Sequence, residues 1–141
     1  MPQSARVSQR ILVADDDPVI RQLLAAILKK EGYAVVLVND GREAFRILRA
    51  DADFKAAIFD MVMPFLKGID LIQYMRTEKR LMRIPVMIIT SERDLKLMAD
   101  SFAAGATIFL PKPFTPEQLH TSLQMLLSKR GGGTSKPNRK P

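Results

Sequence analysis

The sequence alternates five times between apolar runs of strand length and longer stretches with the hydrophobic period of a helix. Consecutive strands joined through a helix lie parallel, because the crossover returns the chain to the edge from which it started. The pattern therefore predicts an α/β domain in which helices cover both faces of a parallel sheet. The five expected strands are 11–14, 34–38, 56–59, 86–90 and 107–110.

Capping residues support this alternation. Asp17 followed by Pro18 is typical of a helix start, since an aspartate caps the first turn and proline fits its first position. Ser91 is the expected cap of the fourth helix, and Gly105 is expected to end it. The expected helices lie near 18–30, 41–50, 66–78, 92–104 and 116–129.

The composition, 47% hydrophobic and 26% charged, is that of a soluble globular domain. The chain has no cysteine, which excludes disulfides and thiolate metal sites. No apolar run reaches the roughly 18 residues of a membrane span, and the first residues lack the apolar segment of a signal peptide. We therefore expect a cytoplasmic protein with no membrane partner.

Positive charge is concentrated at the end of the chain. The net charge is +7, and removing the five cations after residue 128 leaves +2 on the rest. Because we find no basic stripe with interleaved aromatic residues in this remainder, nucleic acid is not expected as a partner. The five cations are Lys129, Arg130, Lys136, Arg139 and Lys140.

Polar residues follow the expected strands at the points where they end. Three aspartates, Asp15 to Asp17, follow the first strand, and Asp60 follows the third. Ligands of doubly wound sheets bind beyond the carboxyl ends of the strands, so these acids are expected to meet there. Crowded carboxylates favour a hard divalent cation, and Mg²⁺ fits because it binds one or two carboxylates together with phosphate oxygens. Asp17 is better placed to cap the helix.

The same edge of the sheet carries groups that suit a phosphoryl group. Thr90 ends the fourth strand with a hydroxyl, and Lys112 follows the fifth with an amine. Phosphoryl transfer depends mainly on positioning and on neutralising oxygen charge, which a cation, an amine and a hydroxyl provide. Asp60 is then a candidate nucleophile that would form an acyl phosphate.

Three other functions are open to such a chain. A Mg²⁺-dependent phosphohydrolase would need a second acid two residues after its nucleophile, where this chain has Val62. A scaffold with a vestigial site could bind an acidic partner through the basic tail. Binding of a flavin or nucleotide would need a glycine-rich loop after the first strand, which is missing.

Taken together, these segments resemble the receiver domain of two-component response regulators. The resemblance rests on LVADD, on IFDMVMP with Gly68 following, on Thr90-Ser91 and on KPF at 112–114. It implies a flavodoxin-like (βα)5 fold with strand order 2-1-3-4-5. The expected domain is 10–129, preceded by an extension at 1–9 and followed by a flexible basic tail at 130–141.

The resemblance also implies a role for each site residue. Asp60 would accept a phosphoryl group from a phosphohistidine of a sensor histidine kinase or phosphotransfer protein. Asp16 would bind Mg²⁺ (or Mn²⁺) directly and Asp15 largely through water, with Asp60 and the backbone carbonyl of Val62 as further ligands. Thr90 and Lys112 would hold the phosphoryl oxygens.

Finally, the resemblance implies a switch rather than a conventional enzyme, one that promotes its own phosphorylation and dephosphorylation. Thr90 would move toward the phosphoryl group, and Phe109 would turn inward. This change would reshape the face of the fourth helix, fifth strand and fifth helix for a downstream protein. Phe109 lacks the hydroxyl of the commoner tyrosine, and the Lys112–Pro113 bond is often cis in this family. We expect the chain to act as a stand-alone signalling domain.

Overall fold

A computed structural model describes residues 9–91 and 94–128 of the chain. Strands and helices alternate strictly along it. The strands are β1 (Arg10–Ala14), β2 (Ala34–Val38), β3 (Ala56–Asp60), β4 (Val86–Thr90) and β5 (Ile108–Pro111). The helices are α1 (Pro18–Lys30), α2 (Gly41–Ala50), α3 (Gly68–Arg76), α4 (Leu95–Ala104) and α5 (Pro116–Ser128).

The strands form one parallel sheet in the order β2-β1-β3-β4-β5, which confirms the expected topology. Every residue of β3 and β4 is buried, whereas the edge strands β2 and β5 are largely half-buried. Central strands covered on both faces need apolar side chains at successive positions. This is why they read as continuous apolar runs in the sequence.

Helices pack on both faces of the sheet. Alternate strand residues face opposite sides, so Leu12 and Phe59 belong to the core beneath α2, α3 and α4. Their neighbours Ile11 and Ile58 belong to the core beneath α1 and α5. Each fully buried side chain of this size contributes roughly 1.5–3 kcal/mol to folding.

Most of the capping predictions are confirmed. The Asp17 side chain accepts a hydrogen bond from the N–H of Val19 and caps α1. Gly105 ends α4 in the left-handed region, at φ 117°. The prediction that Ser91 caps α4 is wrong, because Asp94 caps it, accepting from the N–H of Lys96. Aspartate and serine are comparable caps, so propensity could not decide between them.

Three expectations from the sequence lie largely or wholly outside the described residues. These are the N-terminal extension, apart from its last residue, the basic tail, and the extension of the fifth helix to residue 129. In the part of the chain that the structure describes, no helix has both the length and the apolar character needed to cross a bilayer.

Arg76, at the end of α3, links three segments of backbone. Its guanidinium donates to the carbonyls of Met82 and Ile84, each at 3.1 Å, and of Gly105 at 2.7 Å. These bonds tie α3 to the approach of β4 and to the end of α4. A charged donor that satisfies several carbonyls leaves them unpaired if it is removed.

We predict that Arg76→Met lowers the free energy of unfolding by about 2–4 kcal/mol, since carbonyls lose charge-assisted hydrogen bonds while the apolar stem remains. Urea denaturation would measure this loss. Arg83→Met is the matched control, because Arg83 is exposed and ordinary surface changes alter stability by only about 0.5 kcal/mol. Equal stability of the two variants would contradict this role for Arg76.

Candidate functional site

Acids from two neighbouring strands meet at the carboxyl edge of the sheet. Asp15 and Asp16 follow β1, Asp60 is the last residue of β3, and β1 pairs directly with β3. One carboxylate oxygen from each of these residues lies within 4.8 Å of the other two. Asp15 and Asp60 are buried, whereas Asp16 is exposed. The structure thus brings together the three acids that the sequence singled out.

Lys112 reaches the acids from the far side of β4. Its backbone N–H donates to the carbonyl of Thr90 at 2.7 Å, which fixes the residue directly after β5. Its Nζ lies 3.6 Å from Oδ2 of Asp15 and 3.6 Å from Oδ2 of Asp60. One ammonium therefore offsets the charge of the two buried carboxylates only in part.

Gly68 lets the loop after β3 pass close to Asp60. A Cβ at this position would lie 2.8 Å from the carbonyl oxygen of Asp60 and 2.8 Å from Cδ1 of Ile88. The N–H of Gly68 donates to the carbonyl of Met61 at 3.0 Å. Within the same loop, the N–H of Val62 donates to Oδ1 of Asp60 at 3.4 Å.

Asp15 is held from both its side chain and its backbone. Its Oδ1 accepts from the N–H of Asp17 at 2.8 Å, and its carbonyl accepts from the guanidinium of Arg21 at 2.6 Å. We did not identify Arg21 from the sequence. A cation one turn into the helix that follows an acidic pair is the signal that could have revealed it.

Within the described part of the chain, the second oxygen of Asp15 has only an ion-pair partner, Nζ of Lys112 at 3.6 Å. Its Oδ2 is buried and accepts no hydrogen bond from any residue that the structure describes. A buried polar atom in this condition is costly unless a ligand completes its coordination. Three carboxylate oxygens grouped within 4.8 Å fit the hard, oxygen-preferring coordination of a divalent cation. The residues present therefore fit Mg²⁺.

Burial and like charge act on the two buried acids in the same direction. Burial, reinforced by the neighbouring Asp15, raises the pKa of Asp60 from 3.8 to about 7, although Lys112 opposes the rise. Burial also raises the pKa of Asp15, against the hydrogen bond from Asp17 and the charge of Lys112. Without a cation, the cluster therefore resists being fully ionised.

The two residues expected to form a switch lie on neighbouring strands. Thr90 is buried at the end of β4, one residue beyond the partner of Asp60 in the sheet register. Phe109, in β5, is half-buried, and its ring centre lies 6.3 Å from that of Phe102 on α4. The peptide bond between Lys112 and Pro113 is cis, as the resemblance implied.

The five-stranded parallel sheet in this order, with clustered acids and a lysine at its carboxyl edge, places the chain in the flavodoxin-like class of α/β domains. Residues 11–124 match the family described as the response regulator receiver domain. The chain belongs to this family, the receiver domains of two-component systems.

Individual proteins support the same assignment. The chain is 35% identical to the chemotaxis protein CheY1 of Helicobacter pylori over 84% of this chain and 96% of that protein. It superimposes on the chemotaxis response regulator CheY4 of Vibrio cholerae with a TM-score of 0.78 and 32% identity, covering 86% of this chain and all of the other.

A further solved structure bears on the acidic cluster. The receiver domain of the sensor histidine kinase PA1611 of Pseudomonas aeruginosa is 28% identical, with a TM-score of 0.76 over 87% of this chain and 100% of that one. It carries a magnesium ion coordinated in its active site cleft.

We predict that Asp60→Asn stabilises the metal-free protein at about pH 8, because each unit by which folding raises a pKa costs about 1.4 kcal/mol once the group ionises. The folded state favours protonated Asp60, so wild-type stability falls as the pH rises from about 3.8 to about 7 and then levels off. The asparagine variant cannot ionise, and the stability difference should disappear below the ordinary pKa of 3.8.

Urea denaturation in the presence of a chelator, over a series of pH values, measures this difference. Asp53→Asn is the control, since Asp53 is exposed and outside the cluster. An asparagine variant no more stable than the wild type at about pH 8 would show that ionised Asp60 is not destabilising.

Proposed function

We propose that this chain is a phosphoacceptor in which Asp60 receives a phosphoryl group from a phosphohistidine of a partner protein. One observation supports this most strongly: a buried carboxylate lies against a second carboxylate and a lysine, with Asp60 Oδ2 and Lys112 Nζ separated by 3.6 Å. The carboxylate of Asp60 would attack phosphorus, and the ammonium of Lys112 would lie beside the oxygens of the transferred group.

Mg²⁺, with Mn²⁺ as a substitute, would be held by Asp15, Asp16, Asp60 and the backbone carbonyl of Val62. When bound, it would neutralise carboxylate and phosphoryl oxygens and favour the ionised, nucleophilic form of Asp60. The positive charge of Lys112 also lowers the pKa of Asp60 and so favours its ionised form. The buried Oδ2 of Asp15, which lacks a hydrogen bond from the described residues, is the support for this ligand set.

In the transfer, a carboxylate oxygen of Asp60 would form a bond to phosphorus as the bond from phosphorus to the histidine nitrogen breaks. The electron pair of that bond stays on the imidazole of the donor. Lys112 would hold one phosphoryl oxygen through its ammonium, and Thr90 would hold another through its hydroxyl. The chain would supply the acceptor and would therefore promote its own phosphorylation rather than act on a separate substrate. We also propose that it promotes its own later dephosphorylation.

The partners follow from this chemistry. A sensor histidine kinase or phosphotransfer protein would supply the phosphoryl group, and a protein target would bind the switched surface. We place the receiver at 10–129, with flanking segments at 1–9 and 130–141, and we place the protein in the cytoplasm. Nucleic acid and membrane are not proposed as partners.

The proposed switch couples Thr90 to Phe109. Thr90 would move toward the phosphoryl group, and the half-buried ring of Phe109 would turn into the vacated space. Its present neighbour, Phe102 of α4, is 46% exposed, so this movement would change the surface formed by α4, β5 and α5. A shift from 1:99 to 99:1 requires about 5.5 kcal/mol of differential interaction.

We predict that acetyl phosphate with Mg²⁺ adds one phosphoryl group to the wild type and that Asp60→Asn reduces this labelling to background. Asp53→Asn should be labelled like the wild type, and removing Mg²⁺ with a chelator should suppress labelling of every variant. Mass spectrometry of the intact protein and its peptides measures the group and its position. Undiminished labelling of Asp60→Asn would assign the acceptor to another residue.

We predict that Thr90→Val separates phosphorylation from switching. The variant retains Asp60 but loses the hydroxyl, so it should still be labelled while the response of α4 and β5 is reduced by at least about half. Amide chemical shifts recorded with and without beryllofluoride, a mimic of the phosphoryl group, measure that response.

Thr77→Val is the matched control, since Thr77 lies at the end of α3 and is exposed. It should respond like the wild type. A full response of α4 and β5 in Thr90→Val would mean that the Thr90 hydroxyl does not transmit the change.

A further inference from the structure

The outer face of α2 is strongly basic. Arg42, Arg46 and Arg49 are exposed and, with Phe45 and Ala50, line a surface cavity of about 380 Å³. We call this set of residues the α2 arginine groove. Positions separated by three and four residues share one face of a helix, so the three cations lie in a row about 10 Å long.

Two of these three arginines contact aromatic rings. The guanidinium carbon of Arg42 lies 3.8 Å from the ring centre of Phe65, and that of Arg49 lies 5.8 Å from the ring centre of Phe45. Among the residues that the structure describes, no carboxylate lies within ion-pair distance of any of the three. A guanidinium stacked by its face keeps its N–H edges available for a carboxylate.

Phe65 adds an independent observation. It is 64% exposed and has φ 75°, in the left-handed region. A bulky residue rarely adopts this conformation. Phe65 lies in the loop that follows Asp60, and its exposed ring contacts the guanidinium of Arg42. The α2 arginine groove is therefore continuous with this loop.

This surface corrects the expectation that the body of the chain has no basic stripe with interleaved aromatic residues. The three cations are separated in the sequence and lie in a row only because α2 is helical. One of the two rings, that of Phe65, comes from a loop distant in the sequence. The net charge of +2 on the chain before residue 129 does not reveal this local concentration of positive charge.

We propose that the α2 arginine groove binds a short acidic segment of a partner protein. Side chains on one face of an extended segment are about 6.8 Å apart, so two or three alternating carboxylates span the row of guanidinium groups. The rings of Phe45 and Phe65 would contact the apolar residues between them. Bidentate contacts between arginine and carboxylate would provide specificity.

Charge distribution favours a short peptide over nucleic acid. Asp40 caps the start of α2, and Asp51, which forms an ion pair with Arg10, follows its end, so acidic residues bound the row on both sides. A nucleic acid backbone presents a long line of phosphates and is bound by more extended basic surfaces. The terminal segments of this chain, 1–8 and 129–141, contain no acid and cannot supply the segment.

The test uses the full, unphosphorylated chain and a short synthetic peptide in which glutamate alternates with leucine. Amide chemical shifts map the contact, and fluorescence anisotropy measures the affinity. We expect shifts confined to α2 and the loop around Phe65, and binding that weakens with salt. Replacing Arg46→Gln and Arg49→Gln together should weaken binding by about tenfold or more, since two charge-assisted contacts are lost.

Lys29→Gln with Lys30→Gln is the control pair. It removes the same charge from exposed positions at the end of α1, and binding should stay within about twofold of the wild type. A second control peptide, with glutamine in place of glutamate, should not bind.

The proposal is overturned if the peptide leaves the α2 signals unchanged, if both variant pairs weaken binding equally, or if the glutamine peptide binds as well. It is also overturned if duplex DNA or vesicles containing phosphatidylserine shift the same amides at lower concentration. Because Asp60 is unmodified throughout, the result is independent of the proposed phosphorylation.

Discussion

Two buried carboxylates beside a single ammonium are the constraint on which the rest of this structure depends. Asp15 and Asp60 are 1% and 6% exposed, and each has an oxygen 3.6 Å from Nζ of Lys112. Two like charges at such short range repel by several kcal/mol, even at the effective dielectric of about 20 that suits protein sites. One ammonium offsets this only in part, and burial together with the neighbouring charge of Asp15 raises the pKa of Asp60 to about 7.

The fold is what imposes this proximity. Parallel strands end at one edge of the sheet, so residues 15, 60 and 112 meet although the chain between them contains most of the domain. Gly68 allows the following loop to pass against Asp60, and Arg21 holds the backbone of Asp15. The packing of the sheet thus holds the two buried carboxylates together despite their mutual repulsion.

Much of this arrangement could be predicted from the sequence. The five apolar runs predicted the strands, and the position of each polar residue after a strand predicted the edge at which it lies. This worked because both signals are local, depending on hydrophobic period and on the residues that end an element. The start of α4 could not be chosen in the same way, since Ser91 and Asp94 are both acceptable caps.

Features that depend on side chains reaching across the fold were not predictable. The contact of Arg76 with the carbonyl of Gly105 joins elements 29 residues apart, and an arginine at the end of a helix does not indicate this by itself. The same holds for the stacking of Arg42 on Phe65. The first contact depends on how α3 packs against the end of α4, and the second on how α2 packs against the loop after β3. No local pattern specifies either arrangement.

The most direct test of the central claim is a crystal structure of the protein soaked with Mn²⁺, located by its anomalous scattering. Our account predicts one strong peak within coordination distance of the carboxylates of Asp16 and Asp60, with Asp15 beside it. A protein that binds Mn²⁺ only elsewhere, or that leaves this edge of the sheet empty at saturating Mn²⁺, would contradict it.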